Sequence, residues 1–131
     1  MPYVLTQKLG DNGYGDRIGS TYHVPSRLFR LLGGIREGDR FVYYQPKEGN
    51  AGRAFFGSGV IERVDASVEP VRLGLREYTP FQHPVPKHLE DGSFAETGSS
   101  SSPFYLWSVR FMSEDDIDRV VRAGRGKAPA P

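Results

Sequence analysis

The sequence predicts a mainly β (α+β) domain, a small and strongly curved β-barrel carrying two or three short helices. Three observations point there. Residues 39–45 and 53–64 are rich in β-branched and aromatic side chains and flank a polar turn, the signature of a hairpin. Gly 16 and Pro 10 are high counts for 131 residues, so turns are many and elements short. The clearest helix boundaries fall at Pro25 and Ser113, each followed by a short segment. Many short strands with interspersed glycines favour a barrel over a doubly wound parallel sheet.

Taken in order, residues 2–8 form a short strand and residues 9–24 a loop. Pro25 to Leu32 form a helix, because proline suits a first helical turn and Gly33-Gly34 ends it. Asp39 to Gln45 is a strand stopped by Pro46, and Arg53 to Val64 is a second whose glycines allow bending or close approach. The hairpin these two make belongs at the centre of the barrel. Val71 to Leu75 is a further strand. Tyr78 to Pro86 carries too many prolines for a central strand and is expected as an extended edge or covering segment. The serine run within residues 87–103 marks a loop, and Tyr105 to Met112 forms the last strand. Ser113 then caps a short amphipathic helix whose first turn is acidic, Glu114-Asp115-Asp116. Residues 1–121 constitute one domain and residues 122–131, RAGRGKAPAP from Arg122, a tail or linker. Tyr43 and Tyr44 point to opposite faces of their strand, as do Phe55 and Phe56, so one of each pair belongs to the core. Phe41 and Phe111 are expected in the core as well.

The composition excludes several function classes. Without cysteine there is no disulfide framework and no thiolate metal site or nucleophile. No apolar run approaches the roughly 18 residues of a membrane helix, and the N-terminus lacks the basic-then-apolar layout of a signal peptide. A soluble, cytoplasmic chain is expected. His23, His83 and His88 have no metal-ligand spacing, no GxSxG elbow occurs, and Gly10, Gly13 and Gly15 do not open a dinucleotide-binding helix. The acidic cluster at residues 114–118 is explained by helix capping without a metal. No enzyme, no cofactor and no metal are expected. A net charge of +1 leaves the partner undecided, because charge can be segregated onto one face.

Tyr14-Gly15-Asp16-Arg17, Gly19 and Tyr22-His23-Val24-Pro25 are followed by Gly38-Asp39-Arg40-Phe41-Val42-Tyr43-Tyr44-Gln45-Pro46 and Gly52-Arg53-Ala54-Phe55-Phe56. This ordered series resembles the PUA superfamily. More narrowly, it is similar to the EVE-like domain that precedes HNH nuclease domains in bacterial modification-dependent restriction endonucleases. The similarity extends through Phe81, Pro84-Val85-Pro86, Val109 to Ser113 and Asp116-Ile117, and so covers most of residues 3–121. The resemblance implies a barrel that reads a modified base, a methylated cytosine in double-stranded DNA, as the specificity domain of a restriction system. An HNH nuclease partner would be a separate domain. An RNA reader of the EVE or YTH kind, and a protein- or small-ligand-binding module on the same barrel, are the alternatives.

Reading one base requires taking it out of the stack, sandwiching it between flat side chains and satisfying its polar edge. Ser20, Thr21, Tyr22 and His23 place two hydroxyls, a phenol and an imidazole in one loop. They are the candidate edge-reading group, unless Tyr22 packs into the core and Ser20 caps a turn. Tyr44, Phe56 and Trp107 are candidate walls, with Trp107 equally placed to plug the core. Arg17, Arg27, Lys47 and Arg53, with Arg30 nearby, are candidate phosphate contacts, because cations along a pocket rim position the backbone while base contacts specify. Each of these arginines and lysines is otherwise ordinary solvated surface charge.

Overall fold

A computed structural model describes residues 2–7, 16–46, 54–86 and 109–125. Within them the elements are β1 (Tyr3–Thr6), β2 (Thr21–Val24), α1 (Ser26–Leu32), β3 (Arg40–Gln45), β4 (Ala54–Asp65), β5 (Val71–Pro86), β6 (Val109–Phe111) and α2 (Glu114–Gly124). The strands form one sheet in the order β2-β5-β4-β3-β1-β6. All neighbours are antiparallel except β1 and β3, which pair in parallel with Tyr3 opposite Phe41. The expected hairpin, β3 with β4, occupies the middle of this order. The result is a mainly β architecture, a curled half-barrel with two helices among the described residues. None of the described helices is long and apolar enough to cross a membrane. The expected serine-run loop at residues 87–103 and the start of the last strand at residues 105–108 lie outside the described residues.

Alternation of side chains gives the sheet two buried faces. Tyr3, Leu5, Tyr22, Val24, Phe41, Tyr43, Ile61 and Leu73 fill the concave face, where Leu28, Phe29 and Leu32 of α1 pack at its margin. Val4, Val42, Phe55 and Val85 cover the opposite face, against Ile117, Val120 and Val121 of α2. That spacing is one stripe of an amphipathic helix. Its N-terminus is capped as expected, the Ser113 hydroxyl accepting from the Asp116 amide at 3.1 Å. The helix continues to Gly124, past residue 121. At the other helix, Gly33 adopts φ 67, the left-handed conformation that ends α1.

Several expectations are corrected. Residues 9–24 do not end as loop: Thr21–Val24 is a strand, paired antiparallel with β5 from Gly74 to Val71. Four residues become a strand here because a distant segment supplies the ladder. Val71 to Leu75 and Tyr78 to Pro86 are one strand, kinked by register shifts, and from Thr79 onward only β4 pairs with it among the described residues. Pro80, Pro84 and Pro86 therefore lie where one side of the ladder is vacant, as strand prolines must. Phe111 is 48% exposed rather than core. It ends a three-residue strand, and its ring meets the edge of Tyr3 with centroids 6.2 Å apart.

The curl is strapped by one side chain. Tyr22, on the β2 edge, donates its phenolic hydrogen to the Thr6 carbonyl at 2.6 Å, although three strands separate β2 from β1 in the sheet. The ring is 3% exposed and belongs to the concave core. Removing it deletes a large buried side chain and the strap together. Tyr22→Ala is expected to cost about 3 to 5 kcal/mol, a fall of roughly 10 °C or more in melting temperature, measured by thermal denaturation. A shift of only a degree or two would show that Tyr22 does not hold the curl.

Candidate nucleic-acid interface

The segment Asp16 to His23 forms a tight turn that runs into β2. The Arg17 carbonyl accepts from both the Ser20 and Thr21 amides at 3.0 Å, and the Arg17 amide donates to the Thr21 hydroxyl at 3.1 Å. Asp16 anchors one end. Its side chain is 1% exposed, with Oδ1 2.5 Å from His23 Nδ1 and Oδ2 accepting the His23 amide at 3.2 Å. An ionised carboxylate only accepts, so Nδ1 is the donor and the ring orientation is set. The Ser20 carbonyl accepts from the Leu75 amide at 2.8 Å, which anchors the other end on β5. In the middle, the Gly19 amide donates to the Tyr43 hydroxyl at 2.8 Å.

Beneath the turn lies an aromatic group. Tyr43 stacks on Phe56 with centroids 5.1 Å apart and planes 2° apart. It meets Phe41 and Tyr78 edge to face at 5.0 and 5.5 Å. Register shifts create this arrangement. Tyr43 pairs with Gly57 and Tyr44 with Phe55, so Phe56 is the extra residue of a bulge. Phe55 thereby turns toward α2 while Phe56 stays on the concave face. On β5 a second shift near Glu77, whose φ is 54, brings Tyr78 inward where strict alternation would have aimed a carboxylate.

Arg17, Arg27 and Arg30 are exposed and make no ion pair among the described residues. Arg27 and Arg30, three apart, share one face of α1. Pro25, Arg27, Leu28 and Leu31 line a shallow depression there. By contrast, Arg40 is held by Glu114 at 3.3 Å and Asp118 at 2.8 Å, and Arg119 by Asp116 at 3.3 Å. Glu114 and Asp116 of the first turn of α2 are thus each matched to an arginine. Among the described residues no group of three or more His, Asp or Glu gathers to hold a metal ion.

The predicted site residues fall into several places. Ser20 is exposed on the turn, and Thr21 and His23 are half-buried on the side of β2 away from Tyr22 and Val24. Tyr22 is core. Phe56 is half-buried on the concave face, but Tyr44 lies on the other, packed beside Phe55 at 5.0 Å with the buried Arg110 guanidinium 5.0 Å above its ring. Tyr44 and Phe56 therefore do not share a face, because the bulge between their strands separates them. Arg17 and Arg27 are exposed. Trp107, Lys47 and Arg53 lie outside the described residues. Asp16, Tyr43 and Tyr78, which build the turn and its seat, were not singled out by sequence. Gly19 was the available signal, since a turn glycine beside aromatic strands marks close approach.

The fold is shared with solved structures of low sequence similarity. Protein Atu2648 from Agrobacterium tumefaciens is 14% identical, with TM-score 0.61, over 99% of this chain and 98% of that one. The N-terminal domain of Staphylothermus marinus McrB is 13% identical, with TM-score 0.62, over 91% and 92%. Rpa0253 from Rhodopseudomonas palustris is 16% identical, with TM-score 0.53, over 98% and 95%. No family profile matches the chain, and no curated protein matches it. The likeness concerns fold alone.

Burial raises the Tyr43 phenol to about 12, the Gly19 hydrogen bond opposing that rise. Burial also raises Tyr3 and Tyr78. The unfolded chain therefore loses these protons first, near the ordinary phenol value of about 10. Stability contributed by protonated Tyr43 is complete below about pH 10 and declines as pH rises toward about 12, by an amount on the order of 2 to 3 kcal/mol. Urea titrations between pH 9 and 12 are expected to show this decline, and Tyr43→Phe is expected to make it shallower. An identical alkaline slope in the variant would contradict the assignment.

Proposed function

We propose that this chain is a non-catalytic reader module that binds double-stranded DNA and takes a modified base, a methylated cytosine, out of the stack. In this reading it is the specificity domain of a restriction or defence system, with strand cleavage left to a separate HNH domain. The observation that carries it is a built turn with unpaired cations next to it in the chain. Arg17, within the Asp16–His23 segment, and Arg27 and Arg30, on the helix that follows it, are exposed and make no ion pair among the described residues. Exposed cations along such a rim suit phosphates, and the turn offers hydroxyls and an oriented imidazole for a base edge. The motif resemblance to EVE-like domains and the fold shared with the N-terminal domain of McrB support it.

Ser20, Thr21 and His23 are proposed to read the base edge, with Trp107 as a wall. Tyr22 supports them from the core. Arg17, Arg27, Lys47 and Arg53 are proposed phosphate contacts. Fluorescence anisotropy with a duplex carrying one 5-methylcytosine, its plain counterpart and the matching RNA tests the assignment. The methylated duplex is expected to bind about tenfold or more tightly than the plain one, since stacking on a flipped base is worth about 1 to 3 kcal/mol. Arg17→Ala and Arg27→Ala are each expected to weaken both duplexes and to flatten the salt dependence by about one unit. Equal affinity for methylated and plain DNA would refute the modified-base assignment, and tighter binding of RNA would transfer it to the RNA reader.

A further inference from the structure

The Asp16–Thr21 turn is joined to the body at its two ends by the Asp16 carboxylate on His23 and the Ser20 carbonyl on Leu75. Its crown is fixed differently. The Gly19 amide reaches across 24 residues of sequence to the Tyr43 hydroxyl at 2.8 Å, and the ring behind that hydroxyl is fully buried. Gly19 has φ 82, and a β-carbon there would stand 2.8 Å from Cδ2 of Tyr78. Backbone this close to two phenol rings tolerates neither a side chain nor a rotation of the turn. Arg17 and Ser20 flank Gly19 within the same turn, so their direction depends on how that glycine is seated.

We propose that Tyr43 is a positioning residue for nucleic-acid binding: its hydroxyl, with the Tyr78 ring, forms a seat for Gly19 that holds Arg17 and Ser20 in their binding orientation. The inference rests on the reader assignment above. Tyr43 itself, at 0% exposure, touches no ligand and acts through the turn. A bound backbone amide restricts the turn before ligand arrives, so less ordering entropy opposes binding.

Tyr43→Phe keeps the ring stacked on Phe56 and removes only the acceptor. Gly19→Ala keeps the hydroxyl and blocks the seat. Three readouts are taken on each full-length variant: circular dichroism, amide hydrogen exchange of residue 19 by NMR, and affinity for methylated and plain duplexes. Tyr43→Phe is expected to remain folded, to raise Gly19 exchange about tenfold, the equivalent of one hydrogen bond, and to weaken methylated-duplex binding about tenfold. Gly19→Ala is expected to weaken binding at least as much. Unchanged Gly19 exchange in Tyr43→Phe would overturn the seat. Faster exchange with unchanged affinity would overturn its role in binding. If the unsubstituted protein itself binds both duplexes equally, the modified-base assignment falls, while exchange at Gly19 still decides whether the seat exists.

Discussion

The concave side of this protein depends on the packing of Tyr43. Its ring stacks on Phe56, meets Phe41 and Tyr78 edge to face and leaves no surface to solvent. Aromatic pairs in these geometries each contribute about 0.5 to 1.5 kcal/mol beyond simple burial. Tyr43 lies on β3 in the middle of the sheet, so the group it organises ties β3, β4 and β5 together. Its hydroxyl passes that rigidity to the Asp16–Thr21 turn through Gly19. A surface turn is thus seated directly on the core.

The group exists because two strands break their own alternation. Had the register that pairs Tyr43 with Gly57 continued along β4, Tyr44 would have met Phe56 on the α2 face. The extra residue of the bulge instead gives Phe55 to that face and leaves Phe56 beside Tyr43. On β5 the left-handed Glu77, φ 54, performs the same service for Tyr78. A non-glycine residue in that conformation costs about 1 to 2 kcal/mol. Burying a carboxylate in place of the Tyr78 ring would cost more, which is why the strain is accepted.

Ion pairs tie α2 to the sheet. Its packing over the outer face brings Glu114 and Asp118 to Arg40. The exposed arginines of the turn and of α1 have no such counterpart among the described residues. The net charge of +1 by itself says little about the partner.

Local signals made much of the fold legible. Pro25 and Gly33 bounded α1, Ser113 and its acidic followers opened α2, and the aromatic, β-branched runs marked the central hairpin, because capping and alternation act within a few residues. What tertiary structure decided was which groups meet: Thr21–Val24 became a strand by pairing with β5, Tyr22 went to the core and bonded Thr6, Tyr44 and Phe56 parted to opposite faces, and Phe111 was left exposed. Each of these follows from pairing register and bulges between segments distant in the chain. A sequence pattern specifies that a residue faces one side of its strand; only the assembled sheet specifies what waits on that side.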